Sequence, residues 1–485
     1  MGKHDPKDIE KEPVNQGART SNRKPNEIGA STPFDFDANN LTAYGGLLPV
    51  ATMLERLKFQ ELVEETVTVK RQTRSMPAYQ FVLGMVLANY VGFSRLNHLR
   101  FLEREPMLTG ILKVLRLPPQ CTFWRFLASL HLTAAEQLLK VQRAMRDRVW
   151  EAAHVRLTEV TLDTDTTVHT LFGNQMGARK GYNPKNRGKK SYQPILTFLA
   201  ETREYVGGEL RTGDRPSGKQ IAQHLSGVFA ALPPGVKTVY GRADSGFYCW
   251  EAVEAYESKQ CQFVISARKT SRLVEELRAA HWTGSPRTDA DGQCEFRYQP
   301  EGWEKSYRFV ALRHVNKAKP DQPGQPEQYQ LFDTPDYSYR VFVTNMDAPV
   351  DALVGFYRQR GSAENLIKEA NNDAGLAAHP SVRWAMNCIH FQIAMLAYNL
   401  NCWLMLFNRE EKATAADFPH TTLATTRLRF LFLAAKLWRS GRRAGVHYSD
   451  HYAEQGIFHR LMARMRSITS TGTVFAPAIA TPLRN

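Results

Sequence analysis

The hydrophobic period of this chain changes near residue 155, and that change restricts the folds open to it. Before it, apolar residues recur at three-four spacing in LPVATMLERLKFQELVEETV (48–67) and AYQFVLGMVLANYVGFSRLNHLRFLERE (78–105), the mark of amphipathic helices. After it comes VRLTEVTLDTDTTVHTLFG (155–173), β-branched and closed by Gly173, which reads as a strand. A chain that switches in this way builds a helical region first and a sheet second.

Following that strand, YQPILTFLAE and EYVGGELRTG predict two more strands, and GKQIAQHLSGVFAAL a helix. VKTVYGRADSGFY, WEAVEAYESK and CQFVISAR then predict strand, helix and strand. The order β-β-β-α-β-α-β is that of an RNase H-like mixed sheet flanked by helices, so the expected class is α/β. Residues 1–38, polar and rich in Pro, Asn and Gly, read as a disordered arm. The remaining divisions are a helical region at 39–152, the first part of the core at 153–267, and a β-rich insertion at 268–346 that includes NKAKPDQPGQPEQYQ. A second part of the core at 347–410 and a helical, basic C-terminal region at 411–485 complete the chain. Within 39–152, short helices after Pro118-Pro119, with Thr122 and Thr133 as expected caps, suggest a helix-turn-helix-like DNA-binding unit.

With 63 Lys+Arg against 48 Asp+Glu, the formal charge is +15, which favours a polyanionic partner. Six scattered cysteines without a CxxC pair exclude a disulfide framework and a zinc cluster, and no apolar leader opens the sequence. Trp384–Asn408 holds no Asp, Glu, Lys or Arg, yet its Asn387, His390, Gln392, Asn399 and Asn401 favour a buried core helix over a membrane span.

Three acidic side chains from distant segments can together hold Mg²⁺ for phosphoryl transfer on nucleic acid. Asp163 and Asp165 lie two apart on a strand and so share a face; Asp244 ends another strand, before Ser245-Gly246. In FYRQRGSAENLIKEANND (356–373), Tyr357, Arg360, Glu364 and Lys368 recur at three-four-four spacing, which on one helix over 350–372 lines a single face. Glu369 points away from it. Between Thr166 and Ala200 no acidic residue occurs, while Arg179, Lys180, Lys185, Arg187, Lys189 and Lys190 are interleaved with Gly, Asn, Pro, Tyr182 and Tyr192. Such a loop can track a phosphate backbone, or be a solvated hairpin tip. Phe418–Ser449 is also free of acid and carries Arg427, Arg429, Lys436, Arg439, Arg442 and Arg443.

The run Y-x-x-R-x-x-x-E resembles the signature of DDE transposases of the insertion-sequence-four superfamily. LDTDTTV, KGYNPKNRGKKSYQP, GRADSGFY and YRQRGSAENLIKE, in that order, resemble its insertion-sequence 1380 family across about 40–410. The resemblance implies an RNase H-like fold with a β-rich insertion before the helix that bears the glutamate. It implies Asp165, Asp244 and Glu364 as catalytic and metal-holding residues around two Mg²⁺, for which Mn²⁺ can substitute. Asp163 is the runner-up for the first position, and Tyr357 and Arg360 would contact phosphate. The expected activity is cut-and-paste transposition: metal-dependent cleavage at terminal inverted repeats, then strand transfer into target DNA. A homodimer would synapse two ends in a cytoplasmic, nucleoid-associated setting in bacteria, with no membrane partner. The signature's lysine falls on Asn371; Lys368, one turn earlier, could take its place. Insertion tryptophans Trp282 and Trp303 read as core rather than as base-stacking residues. Two other functions stay open: a non-catalytic, transposase-derived DNA-binding protein, suggested by Asn371, and a sugar-nucleotide transferase using Asp163 and Asp165.

Overall fold

The computed structural model describes residues 28–69, 76–233, 235–285, 288–315, 337–409, 420–441 and 443–468. The first 27 residues of the expected arm, the stretch 316–330, Arg442 and the last residues of the C-terminal region lie outside them. Residues 28–40 carry no helix or strand and are exposed throughout.

From Leu41 onward the chain begins with a short strand, β1 (Leu41–Thr42), and six helices: α1 (Leu47–Arg56), α2 (Phe59–Thr66), α3 (Ala78–Tyr90), α4 (Pro106–Leu112), α5 (Gln120–Ser129) and α6 (Thr133–Ala152). These six helices fall within 39–152. Neither expected cap holds: Pro119 precedes α5, leaving Thr122 inside it, and Thr133 is already helical. Instead the His131 ring accepts from the Thr133 amide at 3.3 Å. Imidazole nitrogen serves where a hydroxyl was expected because His131 stands two residues before the first turn.

Next come β2 (Glu159–Thr166), β3 (His169–Thr170), β4 (Arg179–Lys180), β5 (Lys190–Tyr192), β6 (Ile195–Leu199), β7 (Tyr205–Glu209), α7 (Gly218–Ala230), β8 (Thr238–Ala243), α8 (Trp250–Ser258), β9 (Gln262–Ser266) and α9 (Ser271–Ala279). β10 (Gly292–Tyr298), β11 (Tyr307–Val315) and β12 (Tyr337–Thr344) form the insertion. Among the described residues eight strands make one mixed sheet, in the order β10-β11-β12-β9-β8-β2-β6-β7. β2 runs parallel to β8, and β8 to β9, while β6 and β7 are antiparallel. The insertion is not a separate layer. β12 pairs with β9, Val343 opposite Ile265, and so covers what would otherwise be an open sheet edge. Trp303 is buried there beside Tyr248, Trp250 and Tyr307; Trp282 is half-buried, with its indole N–H on the Leu277 carbonyl. Both serve packing, as expected.

The helix expected over 350–372 is two: α10 (Val350–Arg358) and α11 (Gly361–Asn372). Between them the Arg360 amide bonds back three residues to Tyr357 and that of Ala363 to Arg360, so the chain tightens into 3₁₀ winding. Gly361, with no side chain to pack, sits at the break.

α12 (Trp384–Phe407) is buried from Met386 to Phe407, and packs on α3, α6 and β7. Its polar residues explain how a charge-free run can carry five of them. Gln392 donates to the Gly208 carbonyl at 2.9 Å, Asn399 to that of Tyr205 at 2.9 Å, and Asn401 to that of Thr421 at 2.8 Å. Burying an amide is costly unless it is hydrogen-bonded, and here each binds a neighbour's backbone. Among the described residues no helix is long and apolar enough to cross a membrane.

The C-terminal region is not wholly helical. After α13 (Leu423–Thr426) come β13 (Ala435–Ser440) and β14 (Arg443–Tyr448), then α14 (Gln455–Ser467). Here the chain turns at Gly441, φ +58°, into a hairpin whose first strand pairs with β1.

Candidate active site

The site is built from two alternate residue pairs on adjacent parallel strands. Asp163 of β2 stands opposite Arg242 of β8, and Thr164 opposite Ala243. Because side chains alternate across a strand, the next pair on the same face is Asp165 and Asp244. The lower pair is matched in charge. Arg242 holds both Asp163 oxygens, Nε on Oδ1 at 2.7 Å and an Nη on Oδ2 at 2.8 Å, with both side chains buried. Asp163 is thereby spent on structure, and Asp165 is left as the carboxylate that faces the opening. Arg242 also donates to the Phe356 carbonyl at 2.8 Å and to Gln359 at 3.2 Å. It therefore fixes the α10–α11 break relative to the strands.

The upper pair is like-charged. Asp165 accepts from the Thr166 amide at 2.7 Å; Asp244, at the mouth of β8, accepts from the Gly246 amide at 2.9 Å. Burial and the Asp244 charge push the Asp165 carboxyl up to about 6, against the pull of Arg360. Arg360, carried on the tight winding before α11, supplies the missing cation. One of its Nη atoms reaches Asp165 at 2.9 Å and the other Glu364 at 2.9 Å. Burial opposes its charge, but Tyr357, Asp165, Asp244 and Glu364 outweigh burial and raise its pKa. Tyr357 lies beside it, ring centroid 5.6 Å from the guanidinium, with its hydroxyl pKa raised by burial. Thus the structure brings Asp165, Asp244, Glu364, Tyr357 and Arg360 together. The Glu364 side chain is 63% exposed. Lys368, one turn further along α11, is exposed.

Among the described residues no three Asp, Glu, His or Cys side chains already meet at one ion position. The donor chemistry nonetheless fits a hard divalent cation: Asp165 and Asp244 are oxygen donors whose mutual repulsion a cation would relieve, and Glu364 shares Arg360 with Asp165.

Beside Asp244 opens a cavity of about 650 Å³ that the motifs had not pointed to. Arg268, Lys269, Arg340, Arg358 and Arg360 line it, with Tyr357 and Ser245. Arg268 and Lys269 follow β9, Arg340 lies on β12, Arg358 ends α10 and Arg360 stands in the break before α11, so the insertion's pairing with β9 is needed to gather them.

The basic loop folds into a small sheet, β3-β5-β4, with Arg179 and Lys180 on β4, Lys190 on β5, and Lys185, Arg187 and Lys189 in the connection. All six are exposed or half-buried, and Arg179 pairs with Asp214 at 2.9 Å. Tyr182 is exposed; Tyr192 is core, its hydroxyl on the Met176 carbonyl at 2.6 Å. Asn371 does not face the site's opening. Its Oδ1 lies 2.8 Å from Nε2 of buried His169, whose Nδ1 is 3.2 Å from His379. That histidine partnership has no sequence signal, since 202 residues separate the two ends.

Residues 27–470 match the family model described as transposase DDE domain, group 1. No curated protein sequence matches the chain. Of solved structures, a piggyBac transposase synaptic complex with hairpin DNA is similar at 11% identity over 77% of this chain and 78% of that one, with a TM-score of 0.40. A Mos1 transposase paired-end complex with left transposon end is similar at 12% identity over 42% of this chain and 64% of that one, with a TM-score of 0.16. By the extent of the family match, the chain belongs to the DDE transposases.

Proposed function

We propose that the protein is a cut-and-paste DNA transposase of the insertion-sequence 1380 type. It would cleave at terminal inverted repeats and join the freed ends to target DNA as a homodimer. The observation that carries this reading is the stacking of a like-charged Asp165–Asp244 pair on a closed Asp163–Arg242 pair, with Arg360 spanning Asp165 and Glu364. Asp165, Asp244 and Glu364 would hold Mg²⁺ or Mn²⁺. When bound, such ions activate the attacking oxygen and neutralise the leaving one.

The chain's own residues do the positioning. Asp163 and Arg242 fix the register of the two strands against α10. Arg360 neutralises Asp165 and Glu364 before substrate arrives, and its guanidinium, with Tyr357, can turn to a backbone phosphate as the carboxylates take up cations. Lys368, and Arg179, Lys180, Lys185, Arg187, Lys189 and Lys190 on the β3-β5-β4 sheet, would neutralise flanking phosphates, and the helical region at 39–152 would add DNA contacts. Asn371 gives little support to a decayed, non-catalytic copy, because its amide is engaged by His169. The sugar-nucleotide reading lacks its donor pair, since Arg242 occupies both oxygens of Asp163.

The test is cleavage of a duplex carrying the element's own terminal repeat, in Mg²⁺ and in EDTA, beside Glu364→Gln. Nicking at the repeat boundary, dependent on Mg²⁺ and lost in the variant, is expected. Tight binding without cutting by the wild type would overturn the catalytic reading.

A further inference from the structure

The β13–β14 ribbon has one face anchored and one face free. On the inner face, Leu437 and Val446 pack on the helical core, and Tyr448 lies against Phe458 with its hydroxyl on the Gly45 carbonyl at 3.1 Å. Alternation places Lys436, Trp438 and Ser440, with their partners His447, Gly445 and Arg443, on the other face. There the Trp438 indole stacks on His447, centroids 5.7 Å apart and planes 27° apart, and lies over Gly445. A Cβ at residue 445 would meet that indole at 2.6 Å, so glycine is required for the flat plate. The Trp438 Nε1–H is turned inward against Gly445, buried and without a partner among the described residues, so the plate offers its ring face.

On that face Lys436 and Arg443 are exposed, and among the described residues no carboxylate pairs with either of them. Nearby Arg429, by contrast, is held by Glu454 at 2.8 Å. Free cations on both sides of an aromatic plate suit a strip of phosphates with sugar and base edges between. The dimensions agree: strands of six residues span about 20 Å, and a two-stranded ribbon fits the roughly 12 Å major groove of B-DNA.

We propose that the β13–β14 ribbon docks on duplex DNA, with Lys436 and Arg443 on the backbone and the Trp438–His447 plate toward the groove. The choice of DNA as occupant rests on the transposase reading. The ribbon is carried by β1 and the helical region rather than by the catalytic sheet, so it would grip the duplex apart from the cut.

The experiment measures binding of the full-length protein to a terminal-repeat duplex and to an unrelated duplex of equal length, across a salt series, with a thermal melt of each variant. The double variant Lys436→Gln/Arg443→Gln is expected to melt like the wild type. It should bind the repeat about tenfold more weakly and lower the slope of log K against log salt by about 2, near 0.9 per lost phosphate contact. Unchanged affinity and slope would overturn the proposal, as would intact DNA binding with lost self-association. If the wild type fails to cut but the double variant still loses binding, the catalytic reading falls and the ribbon stands; if the variant binds normally while the wild type cuts, the reverse holds.

Discussion

Arg242 holds Asp163 through two parallel hydrogen bonds of 2.7 and 2.8 Å, wholly inside the protein. Removing one partner leaves the other charge buried and alone, which typically costs about 3–5 kcal/mol. Asp163→Ala and Arg242→Ala are therefore each expected to lower the urea midpoint sharply, while the double change to a well-packed apolar pair recovers most of the loss. Arg242→Ala should also slow cleavage at pH and temperature where it stays folded, because the Phe356 carbonyl and Gln359 lose their anchor. Equal midpoints for wild type and Asp163→Ala would show that the pair is not structural.

Asp165 predicts a conflict between stability and activity. Its carboxyl is raised to about 6 from the ordinary 3.8 by burial and Asp244. A carboxyl so raised keeps its proton in the fold between pH about 4 and 6 while the unfolded chain has released it. Stability from this residue is thus lost as pH rises through that window, by up to about 3 kcal/mol. At neutral pH, Asp165→Asn should melt above the wild type while abolishing cleavage; a lower melting temperature would contradict the assignment.

The same carboxylate sets an acid limit for the reaction. Holding a cation requires the ionised form, so cleavage should rise through pH about 6 and level off above it. Arg360 pulls the Asp165 pKa down, so Arg360→Gln should move this limb to higher pH as well as slow the reaction. An unmoved limb in that variant would mean that another group titrates. Manganese binding followed against pH gives the same readout without turnover.

Asn371→Lys, which sequence comparison suggests as a repair, is expected to do harm. The Asn371 amide is the partner of buried His169, whose pKa burial lowers to about 4. Lysine offers no acceptor and would bring a cation toward a buried ring. Loss of a buried partner costs about 1–3 kcal/mol, visible as a lower urea midpoint with no gain in cleavage. Lys368→Ala, at an exposed position, should weaken DNA binding and leave stability alone.

The succession of strands and helices along the core was legible because each carries its own period, from the run at Glu159–Thr166 to Gln262–Ser266, whereas their order across the sheet was not. Asp165, Asp244 and Glu364 were legible as motif positions. That Asp163 is sealed by Arg242 was not, since 79 residues separate them and only strand register makes them neighbours. The cavity cations Arg268, Lys269 and Arg340 were hidden for a similar reason: β12 must pair with β9 before they share a surface. The C-terminal hairpin was misread because basic residues suit a helix face as well as a solvated strand face. Gly441 and Gly445 were the local signs against a helix.

Four histidines, two buried and two half-buried, should make the fold acid-sensitive. Burial lowers His169 and His390 to about 4, and His224 and His379 to about 3. A histidine with a folded pKa below its ordinary 6.5 is neutral in the fold while the unfolded chain takes a proton. Its contribution is complete above pH 6.5 and falls as pH drops through the window to about 4, by up to about 1.4 kcal/mol per pH unit for each group. Raised carboxylates, Asp163 and Asp165 foremost, act in the opposite sense over pH 4 to 6, so the net fall is smaller than the sum over four histidines. Urea unfolding at pH 7, 6 and 5 is expected to show a steady loss of stability. His390 isolates one group: it is buried on α12 and its Nδ1 has no partner among the described residues, so leucine removes the titration without breaking a network there. His390→Leu should reduce the pH slope by about one proton while keeping the pH 7 stability close to that of the wild type. A flat profile between pH 7 and 5 in the wild type would show that these rings are not held neutral.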